Sequence, residues 1–236
     1  MKLHTTVFVA ALMGLAGPLS AQTTCDFTAY RYPTNEIPMY GKHPTTEAQR
    51  QADAALAQSL VQRDVSRSDG ARQAVRRGFE ALRQGDASTA IRRFNQSWLL
   101  DSDNGAAYWG FAIVVAERDN DIRCADDLFN RAIQLLPKDA DLHVDYGRFL
   151  GRSGRYDESI SRFLAALDLN SAVRDAHLGL TISYFRLGNI DSSLHHAKLA
   201  MARGEAIDPR FIVSLECAAR LLASGATGER VQAECR

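Results

Sequence analysis

The sequence predicts an all-α solenoid of about four helix–turn–helix repeats, with a capping helical element at each end. Three observations point there. Apart from its first 45 residues the chain is dominated by good helix formers and holds few prolines, 6 in all. Small and bulky residues recur with a 34-residue period from Ala71 to Ile207. Between the apolar stretches lie short polar turns, several carrying glycine, that fold one helix back on the next.

The first element is not part of the solenoid. Lys2, an apolar run from Val7 to Ala16 and the small residues around Ser20-Ala21 have the anatomy of a secretory signal peptide. The run is too short to span a bilayer, which needs about 20 apolar residues. Cleavage near Ala21 would leave a chain from Gln22, exported to the periplasm or secreted. In the whole sequence 28 basic residues balance 28 acidic ones. There is no basic excess to bind nucleic acid and no polybasic block for a lipid surface.

Residues 22–45 contain Pro33, Pro38 and Pro44 and read as an extended segment. Thr46 with Gln49 is a capping-box signal opening a helix from Glu47 to Arg63, with Ala55, Leu56, Leu60 and Val61 as its apolar stripe. Residues 46–70 are the expected N-terminal cap and linker.

The repeats follow, and the clearest copy is 140–173. It places Tyr146-Gly147, Leu150, Gly154, Ser159, Phe163 and Ala166 in the periodic positions. Copy 174–207 continues in phase with Leu180, Tyr184, Gly188, Ser193 and Ala200, although Ala197 stands where an aromatic is expected. Copy 71–104 supplies Gly78, Gly85, Ala90, Phe94 and Ser97. Copy 105–139 supplies Tyr108, Phe111-Ala112 and Val115. It reaches Ala125, Phe129, Ala132 and Pro137 only if one residue is inserted, and the polar stretch Asp119-Asn120-Asp121 is the expected place.

Residues 208–236 read as a C-terminal capping hairpin, with Asp208 before Pro209 as a helix start. Export makes disulfides the default state of Cys25, Cys124, Cys217 and Cys235. Cys217 and Cys235 lie on either side of the turn Ser224–Gly228, which favours Cys217–Cys235 among the three pairings and leaves Cys25–Cys124.

Over residues 71–207 the pattern resembles the tetratricopeptide-repeat family, which implies a right-handed solenoid whose usual business is binding proteins. The run Arg92–Leu100, Tyr108-Trp109-Gly110-Phe111 and Pro38-Met39-Tyr40-Gly41 is similar to exported bacterial members. In that family the first helix of each repeat lines a concave groove. The resemblance therefore implies a groove of Phe79, Leu82 and Arg83; Trp109, Ile113 and Glu117; Val144, Arg148 and Arg152; and Leu178, Ile182, Phe185 and Arg186. Its aromatic residues and arginines are the residue types that most often anchor partners. The ligand expected is a peptide with an apolar side chain and a carboxylate. Phe79 and Trp109 stand between two readings, as binding anchors or as internal packing. The clamp by which some members hold chaperone tails is absent, since Val75 and Phe79 occupy its positions.

No catalytic signature or cofactor motif is present, and the expectation is a non-enzyme without cofactor or metal. Neighbouring helical residues such as His195 and His196 point about 100° apart, poor geometry for chelating one ion. His143 and His177 fall at packing positions. Asn95-Gln96-Ser97 matches a glycosylation sequon but lies inside a packed helix. The leading reading is an envelope scaffold that holds a protein or peptide, and the alternative is a structural module that associates with itself.

Overall fold

A computed structural model of the chain describes residues 25–42, 46–61 and 66–235. The signal-peptide reading of residues 1–21, Pro44 and the expected helix end at Arg63 lie outside them. Among the described residues there are eleven α-helices and no strand. They are α1 (Glu47–Leu60), α2 (Arg67–Arg83), α3 (Ala87–Leu100), α4 (Gly105–Val114), α5 (Ile122–Leu135), α6 (Ala140–Arg152), α7 (Tyr156–Leu169), α8 (Ala176–Arg186), α9 (Ile190–Ala202), α10 (Pro209–Ala223) and α11 (Gly228–Glu234). Helices α2 to α9 pack as successive pairs, α2 with α3 through α8 with α9. Helix α4 then packs on α3, α8 on α7 and α10 on α9. This gives one continuous helical stack.

Local chemistry sets where each helix begins. The side chains of Ser66, Asp86, Asn104, Asp121, Asp139, Asn189, Asp208 and Thr227 each accept a hydrogen bond from an amide of the following first turn. Such a cap stabilises a helix by about 1 kcal/mol. The turn between paired helices needs a left-handed residue, and Gly85, Gly154 and Gly188 supply it with φ of 75°, 77° and 74°.

The second repeat solves the same turn with one residue more. Beyond Val114, α4 widens into a π turn over Val115–Asp119, and the Asn120 and Asp121 amides both turn back on the Val115 carbonyl. Asn120, with φ of 52°, takes the left-handed place held elsewhere by glycine. An added residue inside a helix is commonly absorbed in this way, as one i→i+5 turn.

Two phenylalanines fix how closely the pairs stack. Phe94 of α3 is wedged between Gly78 of α2 and Gly110 of α4, where a Cβ would lie 2.4 and 2.3 Å from its ring. Phe163 of α7 lies in the same way between Gly147 of α6 and Gly179 of α8.

Residues 25–42 differ from the expected extended segment. They form three short 3-10 turns, Phe27–Ala29, Thr34–Glu36 and Pro38–Lys42, of which the last two strap the outer helix α3, while Cys25 ahead of them is tied to α5. Phe27, Ile37 and Met39 are buried in the main core. Asn95 Nδ2 donates to the carbonyls of Asn35 (3.0 Å) and Ile37 (2.9 Å), and Arg92 pairs with Glu36 at 2.6 Å. The sequon asparagine is wholly buried and its Nδ2, the atom a glycan would take, is engaged in both bonds. Arg118, re-aimed by the π turn, donates to the Glu36 carbonyl, pairs with Asp119 at 2.7 Å and stacks 3.8 Å from the Tyr32 ring centroid. Cys25 is bonded to Cys124 at the start of α5, and Cys217 of α10 is bonded to Cys235.

The phase of α1 also differs from expectation. Ala57 is its buried residue, packed with Ala71 and Leu100 and flanked by Val61, while Ala55 and Leu56 are exposed. The side chain of Leu60 is outside the described set.

Candidate binding groove

Helices α2, α4, α6 and α8 supply most of the lining of two clefts, which no residue of the strap enters. Phe79 of α2 is half-buried, edge-on to Phe94 at 5.2 Å and to Trp109 at 4.9 Å. Beside it, Leu82, Ile113, Ala116 and the edge of Phe129 complete the apolar lining of a cleft of about 250 Å3. Arg83, Glu117, Asp145, Arg148 and Arg152 form its polar border.

A second cleft of about 270 Å3 opens between α6 and α8, with Phe163, Gly147, Gly151 and Gly179 as its floor. Arg148 and Arg152 border both clefts, and Ile182 and Arg186 belong to the second.

The two clefts follow from one repeat position. Gly110 of α4 and Gly179 of α8 occupy the same place in their repeats, and both let the preceding phenylalanine approach. In α6 that place is Asp145. Its carboxylate accepts from the Trp109 indole at 3.0 Å and pairs with Arg148 at 2.6 Å, bridging α4 to α6. Burial raises the Asp145 carboxyl above the ordinary aspartate value, against the lowering effects of Arg148 and of the Trp109 hydrogen bond.

Of the residues named from the sequence, Phe79, Leu82, Arg83, Ile113, Glu117, Arg148 and Arg152 come together in the first cleft. Trp109 stands in the wall as a bracket between Phe79 and Asp145, which places it in internal packing. Phe185 stands apart, edge-on to Phe211 of α10 at 5.1 Å. Leu178 is half-buried, and its amide donates to Glu205. Val144 corrects the expectation. It is buried with Ile160 and Phe163 of α7 and with Ala176 and Leu180 of α8, which cover it. Asp145, Ala116 and Phe129 were not anticipated. The signal for Asp145 was a carboxylate where two sister repeats have glycine.

The groove arginines differ in commitment. Arg148 also reaches Asp175 at 3.2 Å, and Arg152 faces Glu117 at 3.5 Å with both side chains more than half exposed. Arg83 and Arg186 are exposed and make no ion pair among the described residues.

Away from the groove, His177 of α8 and His196 of α9 set their Nδ1 atoms 3.1 Å apart, with Tyr184 stacked on His196. Burial lowers both imidazoles, His196 to about 4. Among the described residues no three metal-ligand side chains gather at one point, and no helix is long and apolar enough to cross a membrane.

No protein-family model matches the chain, and no curated protein matches it. Solved structures do. A MamA double mutant (MamA RS-1 ArsTM) is similar at 15% identity and a TM-score of 0.50, covering 65% of this chain and 84% of that one. PilF of Pseudomonas aeruginosa is 16% identical with a TM-score of 0.44, over 67% of this chain and 86% of its own. The MamA likeness, to a tetratricopeptide-repeat protein, agrees with the helix-pair stack, and the fold is an all-α solenoid of that kind.

Proposed function

We propose that this chain is an exported protein–protein interaction scaffold that holds a peptide or protein segment along α2, α4, α6 and α8. The observation that carries the reading is the first cleft, where Phe79, Leu82 and Ile113 lie beneath Arg83, Arg148 and Arg152. An apolar floor with guanidiniums at its edge suits a segment presenting one apolar side chain and backbone or carboxylate oxygens. Among the described residues the strap packs on α3 and lines neither cleft. Export is supported by the signal-peptide pattern and by two disulfides in the fold. The reading is of binding, since the charged groups of the groove are guanidiniums and carboxylates, several of them paired, and its serine hydroxyls are engaged.

The test is site-specific photo-crosslinking in envelope extract, with the photoreactive group at position 113 in the cleft or at position 198 on α9. A discrete adduct from position 113 that is absent from 198 and lost in Arg83→Glu/Arg152→Glu supports the reading. Equal labelling from both positions refutes it.

Self-association is the second reading, favoured by exposed apolar side chains near the C-terminal end. Phe185 is 42% exposed, Leu187 45% and Val213 64%. Sedimentation velocity over a hundredfold concentration range separates it from a monomeric scaffold.

A further inference from the structure

We propose that the α6–α8 cleft is an acid-reading subsite. It takes the carboxylate of a Glu or Asp side chain in a bound peptide whose neighbouring apolar residue occupies the α4–α6 cleft. This rests on the groove-binding reading and divides that groove into two subsites of different chemistry.

The division follows from where each cleft keeps its carboxylates. The first cleft carries its own counter-ions, Asp145 against Arg148 and Glu117 against Arg152, around an apolar floor. A ligand carboxylate entering there would meet two resident ones. The second cleft has three arginines, Arg148, Arg152 and Arg186, and no Asp or Glu among the residues that line it. Arg186 makes no ion pair among the described residues, and the Arg152–Glu117 contact is long and exposed, so it is easily exchanged.

The floor fits the same conclusion. Gly147, Gly151 and Gly179 contribute no side chains, so the guanidiniums stand over backbone and the Phe163 ring. The buried hydroxyls there are already engaged. Ser159 Oγ donates to the Gly147 carbonyl at 2.7 Å and lies 3.1 Å from Ser183 Oγ. Recognition therefore falls to the arginines, whose planar donors match a carboxylate in two-point contact, with the Tyr156 side chain beside them in the lining. Arg148 and Arg152 border both clefts, so one extended segment crossing them presents an apolar residue on one side and an acid on the other.

The experiment is an amide NMR titration of the chain from Gln22 with two defined peptides, acetyl-Ala-Phe-Ala-Glu-Glu-Ala-amide and its Gln-Gln analogue. The expected result is saturable shifts at Ala116 with both peptides, and at Gly147, Gly151 and Gly179 with the acidic peptide alone. The acidic peptide should bind about tenfold more tightly, a preference that salt weakens. The variant Arg186→Gln changes an exposed side chain that lines the second cleft and not the first, and should sharply reduce that preference while leaving the Ala116 shifts. Equal binding of the two peptides overturns the acid subsite and leaves the groove reading standing. Silence at Ala116 and at all three glycines overturns both.

Discussion

Phe163 and Gly179 touch so closely that a Cβ added to Gly179 would lie 2.2 Å from Phe163 Cζ. The contact joins α7 to α8 and is repeated one pair of repeats earlier, where Phe94 meets Gly110. A ring of that size fits between two helices only if both present hydrogen where a methyl would stand. The spacing of the stack, and the depth of the second cleft above it, follow from this pair.

Gly179→Ala should therefore destabilise the protein by about 1–3 kcal/mol through overpacking, despite alanine's better helix propensity. Gly147→Ala meets the same ring at 3.1 Å and should cost less. Urea unfolding of both variants, and of Gly179→Ala combined with Phe163→Leu, checks the mechanism. The smaller side chain should restore part of the loss, and strict additivity would refute the steric account.

The strap predicts unequal roles for the two disulfides. Cys25–Cys124 closes a loop of 99 residues and Cys217–Cys235 one of 18. By chain entropy alone the long link restricts the unfolded state by about 4–5 kcal/mol and the short one by about 3. Cys25→Ser/Cys124→Ser should lower the urea midpoint more than Cys217→Ser/Cys235→Ser does. Only the first pair should raise hydrogen exchange at the Ile37 and Tyr40 amides.

Trp109 yields a prediction opposite to that for a binding anchor. Trp109→Ala removes a ring packed on Phe79 and leaves Asp145 with one donor fewer in a half-buried place. Truncating a large core aromatic costs about 3–5 kcal/mol, and a half-buried ring should cost about half of that. Arg152→Ala, exposed beside the same cleft, should leave the melting temperature within about 1 °C. Equal melting of the two variants would return Trp109 to the ligand face.

How much of this was legible beforehand depended on the range of each interaction. Gly147 and Phe163 lie within one repeat and both stand out at periodic positions, although periodicity does not state their contact. The extra residue of the second repeat was found by counting, but counting cannot tell a longer loop from a π turn. The strap was opaque for another reason. Asn95 meets the Ile37 carbonyl across 58 residues, and no local pattern announces an irregular segment docked on a helix. Asp145 was missed because a carboxylate where Gly110 and Gly179 stand gains meaning only when those glycines are seen packed on phenylalanine rings. Val144 was misplaced because Ala176 and Leu180 of the next helix pair cover it, a contact that its own position in the sequence does not announce.

The histidine pair makes the α8–α9 end sensitive to acid. The His196 ring faces His177 across the helices, His195 beside it and the Tyr184 ring, with Arg203 near His177. Both imidazoles are held below the usual value of 6.5. As pH falls below about 6.5 the unfolded chain takes up protons that the folded chain refuses, so stability declines toward pH 4 and is complete above 6.5. The raised carboxyls of Asp145 and Glu205 act with the opposite sign, favouring the fold as they protonate. His196→Phe should flatten the fall between pH 6.5 and 4 in urea titrations, an effect of about 1–2 kcal/mol after allowing for partial solvent screening. An unchanged slope would remove the pair as its source.

The π turn is the last testable point, because it links an insertion in the sequence to the docking of the strap. Arg118 and Asp119 form a largely buried pair, 14% and 6% exposed, and the arginine also holds the Glu36 carbonyl and the Tyr32 ring. Deleting Asn120 restores the 34-residue spacing and lets α4 continue as an ordinary helix, but it rotates both side chains away from the strap. Helicity should be unchanged or slightly higher, while limited proteolysis between residues 30 and 42 accelerates. Arg118→Ala leaves Asp119 buried without its partner and should cost roughly 3 kcal/mol. Because the long disulfide pins only Cys25, it cannot replace the Arg118 contacts further along the strap. If the deletion variant keeps the strap as protected as in the parent protein, the inserted residue is a passive loop extension, and the strap's other contacts, Asn95, Arg92 and the buried Ile37 and Met39 among them, hold it without Arg118.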